Sequence, residues 1–440
     1  SKRLDVYSDR QWQAGPLLSN DKLSLHYHDV YSPSQNERKI GRVAFSETSQ
    51  VEIALKNAAQ GHKNWCGVQV IERAKCLLKM ADLLESNRDE AFALLMLEAG
   101  KTLNDAIAEV REAIDFCRYY AEQGVSLLKA PLTLQGYTGE TNILSYHARG
   151  TMLCISPWNF PLAIFLGQIS ACLVVGNSVI AKPAEQTSLV AAFTVKLLYQ
   201  AGVPKDAVQL LLGDGAVLGP LLTSDQRING VLFTGSTQTG RIINQGLANR
   251  EGAIVPFIAE TGGQNTMLVD SSALLEQVTS DVLISSFGSA GQRCSALRVL
   301  YVQEEIFDSL KTMIMGAMDA LSVGLPFHLQ TDVGPVIDKE ALSSLEKHVA
   351  ILKEKGQILH QVPLMKECNK GFYLLPTLAK IDSINELTQE HFGPILHMIS
   401  YRKKDLDKVI AEINATGFGL TLGIHSRIEY AVEYIATRVH

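Results

Sequence analysis

One cysteine stands among residues that favour reactivity, in the run Gly291-Gln292-Arg293-Cys294-Ser295. The thiolate is the nucleophilic form of cysteine, and a nearby cation makes that form easier to reach. The other six of the seven cysteines lie in apolar periodic segments or lack a partner signature, and no pair has the spacing of metal ligands. Cys294 is therefore the candidate nucleophile, although a lone cysteine is more often a small buried hydrophobe, and no metal site is expected.

Two other side chains suit a reaction at such a nucleophile. Glu260 follows a predicted strand at 254–258 and precedes two glycines, so its carboxylate can act as a general base towards water. Asn159 stands in the tight turn Trp158-Asn159-Phe160-Pro161, where its amide can donate to an oxyanion. An ordinary turn acid and an asparagine turn are the structural alternatives.

Three segments could bind an anionic ligand. An apolar strand runs into Gly235 and Ser236, which gathers N–H groups and hydroxyls at a helix N-terminus, although N-capping alone would explain the same residues. Lys182 and Glu185 follow another apolar strand, where α/β sheets bind ligands, or else they are solvated loop charges. The spacing in Gly213–Gly219 is one residue too long for a dinucleotide fingerprint, which favours a plain strand-to-helix turn.

The hydrophobic pattern predicts the elements that position these residues. Apolar residues spaced three and four apart predict helices over 51–128. The alternation around two glycines in 130–149 predicts a hairpin. Beyond it, short apolar strands alternate with helices, which is typical of a doubly wound α/β sheet. The predicted strands are 152–155, 178–182, 208–212, 230–234, 254–258, 266–269 and 297–302, with a helix at 304–321.

Composition excludes several classes of protein. The 440 residues are 46% hydrophobic with a net charge of −6, which indicates a globular protein of two domains and no obvious nucleic-acid or anionic-membrane partner. An odd number of cysteines suggests a reducing, cytosol-like compartment. The 32 uncharged residues of Gly150–Ala181 could span a bilayer, but Pro157 and Pro161 would break such a helix. Ser1–Asp5 lacks an initiator Met and an apolar run, so a processed chain without a signal peptide is expected.

Six motifs, in their order and spacing, resemble those of the aldehyde dehydrogenase superfamily across essentially the whole chain. They are Pro157–Pro161, Ala181–Glu185, Phe233–Ser236, Glu260–Gly263, Gly291–Cys294 and Glu390–Pro394. More narrowly, Cys154–Phe165 and Gln292–Arg298 are similar to the dehydrogenase domains of bacterial bifunctional proline-utilisation enzymes. Those domains oxidise glutamate γ-semialdehyde, the open form of Δ1-pyrroline-5-carboxylate, to glutamate.

The resemblance implies a fold and a covalent mechanism. The fold is an α/β aldehyde dehydrogenase fold, with a Rossmann-like NAD-binding domain at 1–259 and an α/β catalytic domain at 260–440. Cys294 would attack the aldehyde, and Asn159 with the Cys294 N–H would hold the oxyanion of the thiohemiacetal. Hydride would pass to the nicotinamide, and Glu260 would activate water to release the acid from the thioester.

The resemblance also implies that the cofactor is NAD. Lys182 and Glu185 would bind the adenosine ribose, Ser236 the pyrophosphate and Glu390 the nicotinamide ribose. An acid at Glu185 would repel a 2′-phosphate, which favours NAD over NADP. The full set of cofactor residues implied is Ile155, Trp158, Lys182, Glu185, Gly215, Gly235, Ser236, Glu390 and Phe392. The substrate residues implied are Phe160, Ser295 and Glu112, the last for the amino group.

The family pattern further implies partners for the parent protein. A proline dehydrogenase domain carrying FAD is expected before Ser1, and the hairpin at about 131–149 is expected to support a homo-oligomer. Nucleic-acid binding would require an absent N-terminal module. The parent is expected in the cytoplasm, with peripheral membrane association left open. Because family members continue past His440, the catalytic domain is expected to lack its C-terminal end, and turnover by this chain stays open.

Three other functions remain under consideration. The chain could be a dehydrogenase for another aldehyde, or a cofactor-binding fragment without turnover. A Cys–His acyl hydrolase would also use Cys294, with His328 as the nearest histidine in sequence.

Overall fold

The computed structural model describes residues 6–7, 9–19 and 25–440, so the segment Ser1–Asp5 lies outside the described residues. The chain forms two compact units. The first comprises the residues up to Tyr31 with Arg38–Ala99 and Ala106–Thr261, and the second comprises Ser32–Glu37, Gly100–Asp105 and Gly262–His440. Two short segments from the N-terminal half thus belong to the second unit, which the sequence pattern did not indicate.

The elements before residue 262 are three N-terminal strands that the sequence pattern did not predict, four consecutive helices, a hairpin, and then strands and helices that alternate as predicted. The strands are β1 (Trp12–Ala14), β2 (Tyr27–Ser32), β3 (Gln35–Ala44), β4 (Leu132–Leu134), β5 (Asn142–Leu144), β6 (Thr151–Ser156), β7 (Ser178–Pro183), β8 (Val208–Leu210), β9 (Ile228–Thr234) and β10 (Phe257–Glu260). The helices are α1 (Thr48–Trp65), α2 (Val70–Ser86), α3 (Arg88–Glu98), α4 (Leu103–Leu128), α5 (Ala163–Val174), α6 (Ser188–Ala201), α7 (Gly215–Thr223) and α8 (Thr237–Ala248).

The region predicted as helical over 51–128 consists of α1 to α4. The apolar spacing of three and four residues explains which face of each helix is buried. In α2, for example, Ala74, Leu77, Ala81 and Leu84 are buried on one side. Gly100, with a φ of 67°, separates α3 from α4 because glycine adopts this left-handed conformation without a steric cost.

The central sheet of the first unit is parallel, with the strand order β10-β9-β6-β7-β8. Its residues Leu153, Ile180 and Val231 pack in one core with Val51 and Leu55 of α1. The chain runs outward from β6 through β7 and β8, then returns to the other side of β6 with β9. The strand order therefore reverses between β6 and β9, and open α/β sheets bind ligands at the carboxyl ends beside such a point.

All five strands of this sheet differ from their predicted bounds by one to three residues, and for two of them the structure shows why. The strand predicted at 254–258 is β10, which begins at Phe257 because Pro256 has no N–H to donate to a ladder. Glu260, expected just after the strand, is its last residue, so the alternative of an ordinary turn acid was wrong. The strand predicted at 208–212 ends at Leu210, and the N–H of Leu212 donates to a serine hydroxyl outside the sheet at 3.0 Å.

The second unit repeats the alternation. Its strands are β11 (Thr266–Val269), β12 (Val299–Gln303), β13 (Ile358–Gln361), β14 (Thr377–Lys380), β15 (Ile395–Tyr401) and β16 (Leu422–His425), and its helices are α9 (Leu275–Phe287), α10 (Glu304–Met318), α11 (Lys339–Glu354), α12 (Leu406–Ala415) and α13 (Glu429–Ala436). The strand predicted from Leu297 begins at Val299, because the Leu297 N–H donates to a carbonyl of α9 at 3.0 Å. The helix predicted to 321 ends at Met318, after which the N–H groups bond three residues back.

The sheet of the second unit is buried on both faces. Its order is β13-β14-β15-β12-β11-β16, and only β13 is antiparallel to its neighbour. Along β11 and β12, Met267 and Leu300 join one core cluster whereas Leu268 and Tyr301 join another. Burial on both faces is what a parallel sheet requires, and the predicted α/β class is confirmed.

Two segments with an ambiguous sequence have clear structures. The uncharged stretch Gly150–Ala181 forms β6, the 12-residue α5 and most of β7. In the described ranges of the chain, no helix is both long enough and apolar enough to cross a membrane. The predicted hairpin is present as the antiparallel pair β4 and β5, and Leu132, Leu134 and Ile143 on it are exposed.

Candidate active site

The cofactor residues predicted in the first unit lie at or just beyond the carboxyl ends of its parallel strands. Such strand ends share one edge of the sheet, the edge at which ligands bind in this architecture. Ile155 and Trp158 lie at the end of β6, Lys182 and Glu185 at the end of β7, Gly215 at the start of α7 after β8, and Gly235 and Ser236 after β9.

Lys182 is buried, with 3% of its surface exposed, so the solvated-charge alternative is wrong for it. Its ammonium donates to the carbonyl of Pro183 at 3.1 Å and lies 3.5 Å from the carboxylate of Glu185, which is exposed. Burial lowers the pKa of Lys182, and Glu185 opposes that shift. A Cβ on Gly215 would lie 3.4 Å from this ammonium. An amine and a carboxylate side by side can donate to and accept from a vicinal diol.

Buried glutamates occupy two helix N-termini of the first unit. Glu98 accepts two backbone N–H groups at the start of α6, at 2.7 and 2.8 Å, and Glu109 accepts two at the start of α5, at 2.8 and 3.2 Å. The start of α8 differs, because its cap is the exposed Ser236, whose hydroxyl accepts the N–H of Thr239 at 3.1 Å. Ser236 is thus an N-cap, and α8 begins at an N-terminus that an external anion can approach.

The turn between β6 and α5 carries Asn159, which is buried with 8% of its surface exposed. Trp158 and Phe160 on either side of it are partly exposed. Gln168 of α5 donates to the carbonyl of Ile155 at 3.3 Å and to a threonine hydroxyl at the end of β9 at 3.1 Å. This amide links the carboxyl ends of β6 and β9, between which the strand order reverses. The backbone from which the turn starts is therefore held in place.

Glu260 ends β10 with an exposed side chain. Its carbonyl accepts the N–H of Gly235 at 3.1 Å, and it is in register with Thr234 of β9. The backbone is therefore fixed while the carboxylate reaches solvent, as a general base for water requires.

Residues 288–298, which we call the nucleophile loop, contain backbone strain just before Cys294. Ser289 and Ala290 have φ values of 53° and 54°, and Gly291 follows at 66°. A left-handed conformation costs a non-glycine residue roughly 1–2 kcal/mol, and such strain clusters at functional sites. A Cβ at Gly291 would lie 2.2 Å from the carbonyl oxygen of Gly393, so glycine is required there.

Asn265 holds the segment that follows the nucleophile. Its side-chain amide donates to the carbonyl of Cys294 at 2.6 Å and to that of Ala296 at 2.9 Å, and the residue is 4% exposed. Cys294 itself is partly exposed, and Ser295 next to it is exposed. The sequence did not identify Asn265 as a functional residue, although it ends the glycine-containing run that begins at Glu260.

The cation beside Cys294 has a carboxylate partner. Arg293 donates to Asp105 at 2.6 Å and to the hydroxyl of Ser289 at 3.2 Å. The interpretation of Arg293 as a cation available to the thiol was wrong, because a carboxylate 188 residues earlier in sequence neutralises it. Arg293 instead attaches the nucleophile loop to Asp105.

Residues 389–393, which we call the Glu390 loop, pack closely against a glycine pair. The Glu390 carboxylate accepts the N–H of Gly263 at 3.3 Å and lies 3.5 Å from the guanidinium of Arg298. Burial raises the pKa of Glu390, and Arg298 opposes that shift. A Cβ at Gly262 would lie 1.8 Å from a Glu390 oxygen, so a larger residue there would displace the carboxylate. Phe392 lies under Arg298, with 5.1 Å between the guanidinium carbon and the ring centre.

Three histidines were missed by sequence reasoning, namely the partly exposed His391 of this loop and the buried His348 and His397 near it. His391 stacks on His348, with ring centres 3.4 Å apart, and the Nε2 atoms of His348 and His397 are 2.9 Å apart. His397 Nδ1 donates to the carbonyl of Arg298 at 3.0 Å, so His348 must donate to His397 Nε2. Burial lowers the pKa of His348 to about 4 and those of His391 and His397 to about 3. One signal was visible, since His397 interrupts the apolar strand β15.

The histidine cluster predicts an acid-sensitive stability. In the unfolded chain these histidines protonate near pH 6.5, but in the folded chain only near pH 3–4. The stability present above pH 6.5 is therefore lost as pH falls, by about 1.4 kcal/mol per pH unit for each histidine. We expect urea unfolding at a series of pH values to show that dependence, and His348→Gln to make it shallower by one histidine's share. Equal slopes in the two proteins would contradict the assignment.

Two remaining residues from the sequence analysis lie in other settings. Glu112 is an exposed residue of α4 rather than part of a strand end or loop. His328 lies 3.5 Å from the carboxylate of Glu367, a pairing that gives no support to its role as a base for Cys294.

Comparison with known proteins identifies consistent relatives. Residues 21–440 match the family model described as the aldehyde dehydrogenase family. Bifunctional protein PutA of Klebsiella aerogenes is 45% identical over 433 residues, which cover 97% of this chain and 32% of that protein. The 1-pyrroline-5-carboxylate dehydrogenase of Bacillus cereus (strain B4264) is 35% identical over 426 residues, which cover 96% of this chain and 81% of that enzyme.

Solved structures similar to this chain include an enzyme of the same name as the second relative. The crystal structure of 1-pyrroline-5-carboxylate dehydrogenase from Thermus with bound NAD has a TM-score of 0.94 and 29% identity, and covers 100% of this chain and 86% of that one. This chain spans 32% of the length of the bifunctional relatives that it matches first.

Proposed function

Since this chain belongs to the aldehyde dehydrogenase family, we propose that it oxidises an aldehyde with NAD as hydride acceptor. The aldehyde proposed is L-glutamate γ-semialdehyde, formed from Δ1-pyrroline-5-carboxylate, and the product is L-glutamate. The observation that carries the proposal is the partly exposed Cys294 on a strained loop. Arg298 of the same loop donates to the carbonyl of Gly393 in the Glu390 loop. A relative named 1-pyrroline-5-carboxylate dehydrogenase, about four fifths of which this chain covers, supports this choice of substrate.

In this proposal the protein's own residues perform covalent catalysis. The Cys294 thiolate attacks the aldehyde carbon and forms a thiohemiacetal, whose oxyanion accepts from the Cys294 N–H and the Asn159 amide. NAD, held by the residues described below, would supply the acceptor for the hydride that the tetrahedral carbon loses. A thioester remains on Cys294, and Glu260 removes a proton from the water that hydrolyses it.

The residues at the sheet edge fit NAD. The Lys182 ammonium and the Glu185 carboxylate suit the two hydroxyls of the adenosine ribose, with Gly215 leaving room beside them. The exposed start of α8, with Gly235 and Ser236, suits the pyrophosphate. Ile155 and Trp158 would line the same edge, while Glu390 and Phe392 would hold the nicotinamide ribose. The Glu185 charge would repel a 2′-phosphate, which favours NAD over NADP.

Substrate choice provides the test of this function. We expect kcat/KM with pyrroline-5-carboxylate to exceed that with succinic semialdehyde or propanal by about a hundredfold, because a site that pairs polar groups rejects substrates lacking them. Phe160, Ser295 and Glu112 are proposed to contribute to that choice. NADH formation measured side by side for the three aldehydes decides the point. Equal efficiencies would favour another aldehyde, and NAD binding without turnover would favour a cofactor-binding fragment.

The setting of the activity is also a proposal. An upstream proline dehydrogenase domain with FAD would supply pyrroline-5-carboxylate, as the bifunctional relatives suggest. The exposed apolar hairpin formed by β4 and β5 supports a homo-oligomer. The seven cysteines are free thiols, which fits a reducing cytoplasm.

A further inference from the structure

Arg298 occupies a fixed position shortly after the nucleophile. It precedes β12 and has 1% of its surface exposed. Its backbone N–H donates to the carbonyl of Asn265 at 3.0 Å, and its carbonyl accepts both the N–H and the Nδ1–H of His397 at 3.0 Å. The guanidinium therefore projects from a backbone that is held on both sides.

Both amino groups of this guanidinium donate to carbonyls of the nucleophile loop. The guanidinium donates to the carbonyl of Gly291 at 2.6 Å and to the carbonyl of Arg293 at 3.0 Å. These carbonyls bracket Gln292 and stand directly before Cys294. Because the second of them belongs to the peptide bond that carries the Cys294 N–H, Arg298 fixes the plane of that peptide.

The same two amino groups also contact the Glu390 loop. The guanidinium donates to the carbonyl of Gly393 at 3.2 Å, lies 3.5 Å from the Glu390 carboxylate and stands over the ring of Phe392 at 5.1 Å. The partners of one buried cation thus come from two loops, each of which carries a residue proposed to act on substrate or cofactor.

A buried arginine can also serve structure alone, and Arg73 in the first unit is such a case. It is 6% exposed, and its guanidinium donates to the backbone carbonyls of Val174 at 2.9 Å, Cys66 at 3.4 Å and Val68. No proposed functional residue is among those partners. Arg298 differs because it shares the Glu390 carboxylate with whatever binds there.

We propose that Arg298 is a positioning residue that couples binding at Glu390 to the conformation of the nucleophile loop. This inference rests on the proposed function, in which Glu390 accepts from ribose hydroxyls. When the carboxylate takes those hydroxyls, its interaction with Arg298 changes, and the guanidinium transmits the change to the carbonyls before Cys294. Its charge also lowers the pKa of Glu390 against the effect of burial, and so favours the ionised, accepting form of the carboxylate.

A pH profile separates this role from a structural one. The titratable and charged groups near Glu390 are Arg298, the thiol of Cys294, which interacts with Arg298, and the neutral histidines His348, His391 and His397. Burial raises the pKa of Glu390, whereas Arg298 and the Gly263 N–H lower it. Removing the Arg298 charge should therefore raise that pKa further. The protonated carboxyl is a poorer acceptor, so cofactor affinity should fall as pH falls.

The experiment compares Arg298→Gln, which removes the charge, with Arg298→Lys, which keeps it, on the complete protein. Calorimetric titration with NAD from pH 6 to 8 should show about tenfold weaker binding by Arg298→Gln, and a Kd that increases as pH falls. Arg298→Lys should bind more weakly than the wild type but should restore its smaller pH dependence. Arg73→Gln is the matched control and should lower the melting temperature without changing the Kd.

A second measurement follows the coupling itself. The rate at which iodoacetamide alkylates Cys294 should change when NAD saturates the wild type, and that change should be lost in Arg298→Gln. An Arg298→Gln protein that behaves like Arg73→Gln, or that keeps the response of Cys294 to NAD, would overturn the proposal. So would the failure of both Arg298 variants to fold, because the role would then be structural. A wild type that does not bind NAD would overturn the proposed function itself, and this inference with it.

Discussion

Replacing Cys294 by alanine is expected to abolish aldehyde oxidation, with a loss of at least about 10³-fold in kcat. The substitution removes the sulfur that forms the thiohemiacetal, and no neighbouring side chain can supply an equivalent nucleophile. Folding should be unaffected, since Cys294 is partly exposed and its backbone carbonyl can still accept from Asn265. NADH formation with pyrroline-5-carboxylate measures the loss, and calorimetry checks that NAD still binds.

Cys66 provides the matched control for that experiment. It is an exposed free cysteine on the first unit, and its conversion to alanine removes a thiol without touching any candidate site residue. Cys66→Ala should retain the wild-type rate. A Cys294→Ala protein that oxidises the aldehyde at the same rate as Cys66→Ala would exclude covalent catalysis at this position.

Replacing Glu260 by glutamine is expected to separate the two halves of the reaction. Glutamine keeps the size of the side chain at the end of β10 but cannot take a proton from water, so hydrolysis of the thioester should slow by about 10²–10⁴-fold. Hydride transfer precedes that step and should remain fast. Rapid mixing with NAD and substrate should therefore show a burst of about one NADH per active site, followed by slow turnover.

The control for this variant is Glu251→Gln, which removes an exposed carboxylate from the same region of the first unit. It should turn over linearly at the wild-type rate. A linear, uniformly slow reaction in Glu260→Gln would place the defect before the thioester and contradict the role of Glu260 as its hydrolytic base.

Local pattern was sufficient to predict much of the scaffold. The strand at β7 and the helix α5 follow from apolar runs bounded by turn residues, and two prolines were enough to reject a membrane span for Gly150–Ala181. The start of β10 was misplaced because apolar character was weighed above the missing N–H of Pro256. Because of that error Glu260 was expected just after the strand, whereas it is the last residue of β10.

The missing parts of the site depend on contacts between distant residues. Arg293 resembles a cation available to Cys294 in sequence, and only the fold brings Asp105 against it. The same holds for the contact of His397 with His348, which are 49 residues apart. The left-handed backbone at Ser289 and Ala290 could not be predicted either, because serine and alanine normally avoid this conformation. Motif spacing located the reactive groups but not the residues that hold them.

The most direct test of the account traps the covalent intermediate. Glu260→Gln is mixed with pyrroline-5-carboxylate and NAD, quenched in acid and digested, and the peptides are analysed by mass spectrometry. The account predicts a glutamyl thioester on the peptide that contains Cys294, formed only when NAD is present and absent from Cys294→Ala combined with Glu260→Gln. A glutamyl group on a different cysteine, or NADH formation without any acylated cysteine, would contradict it.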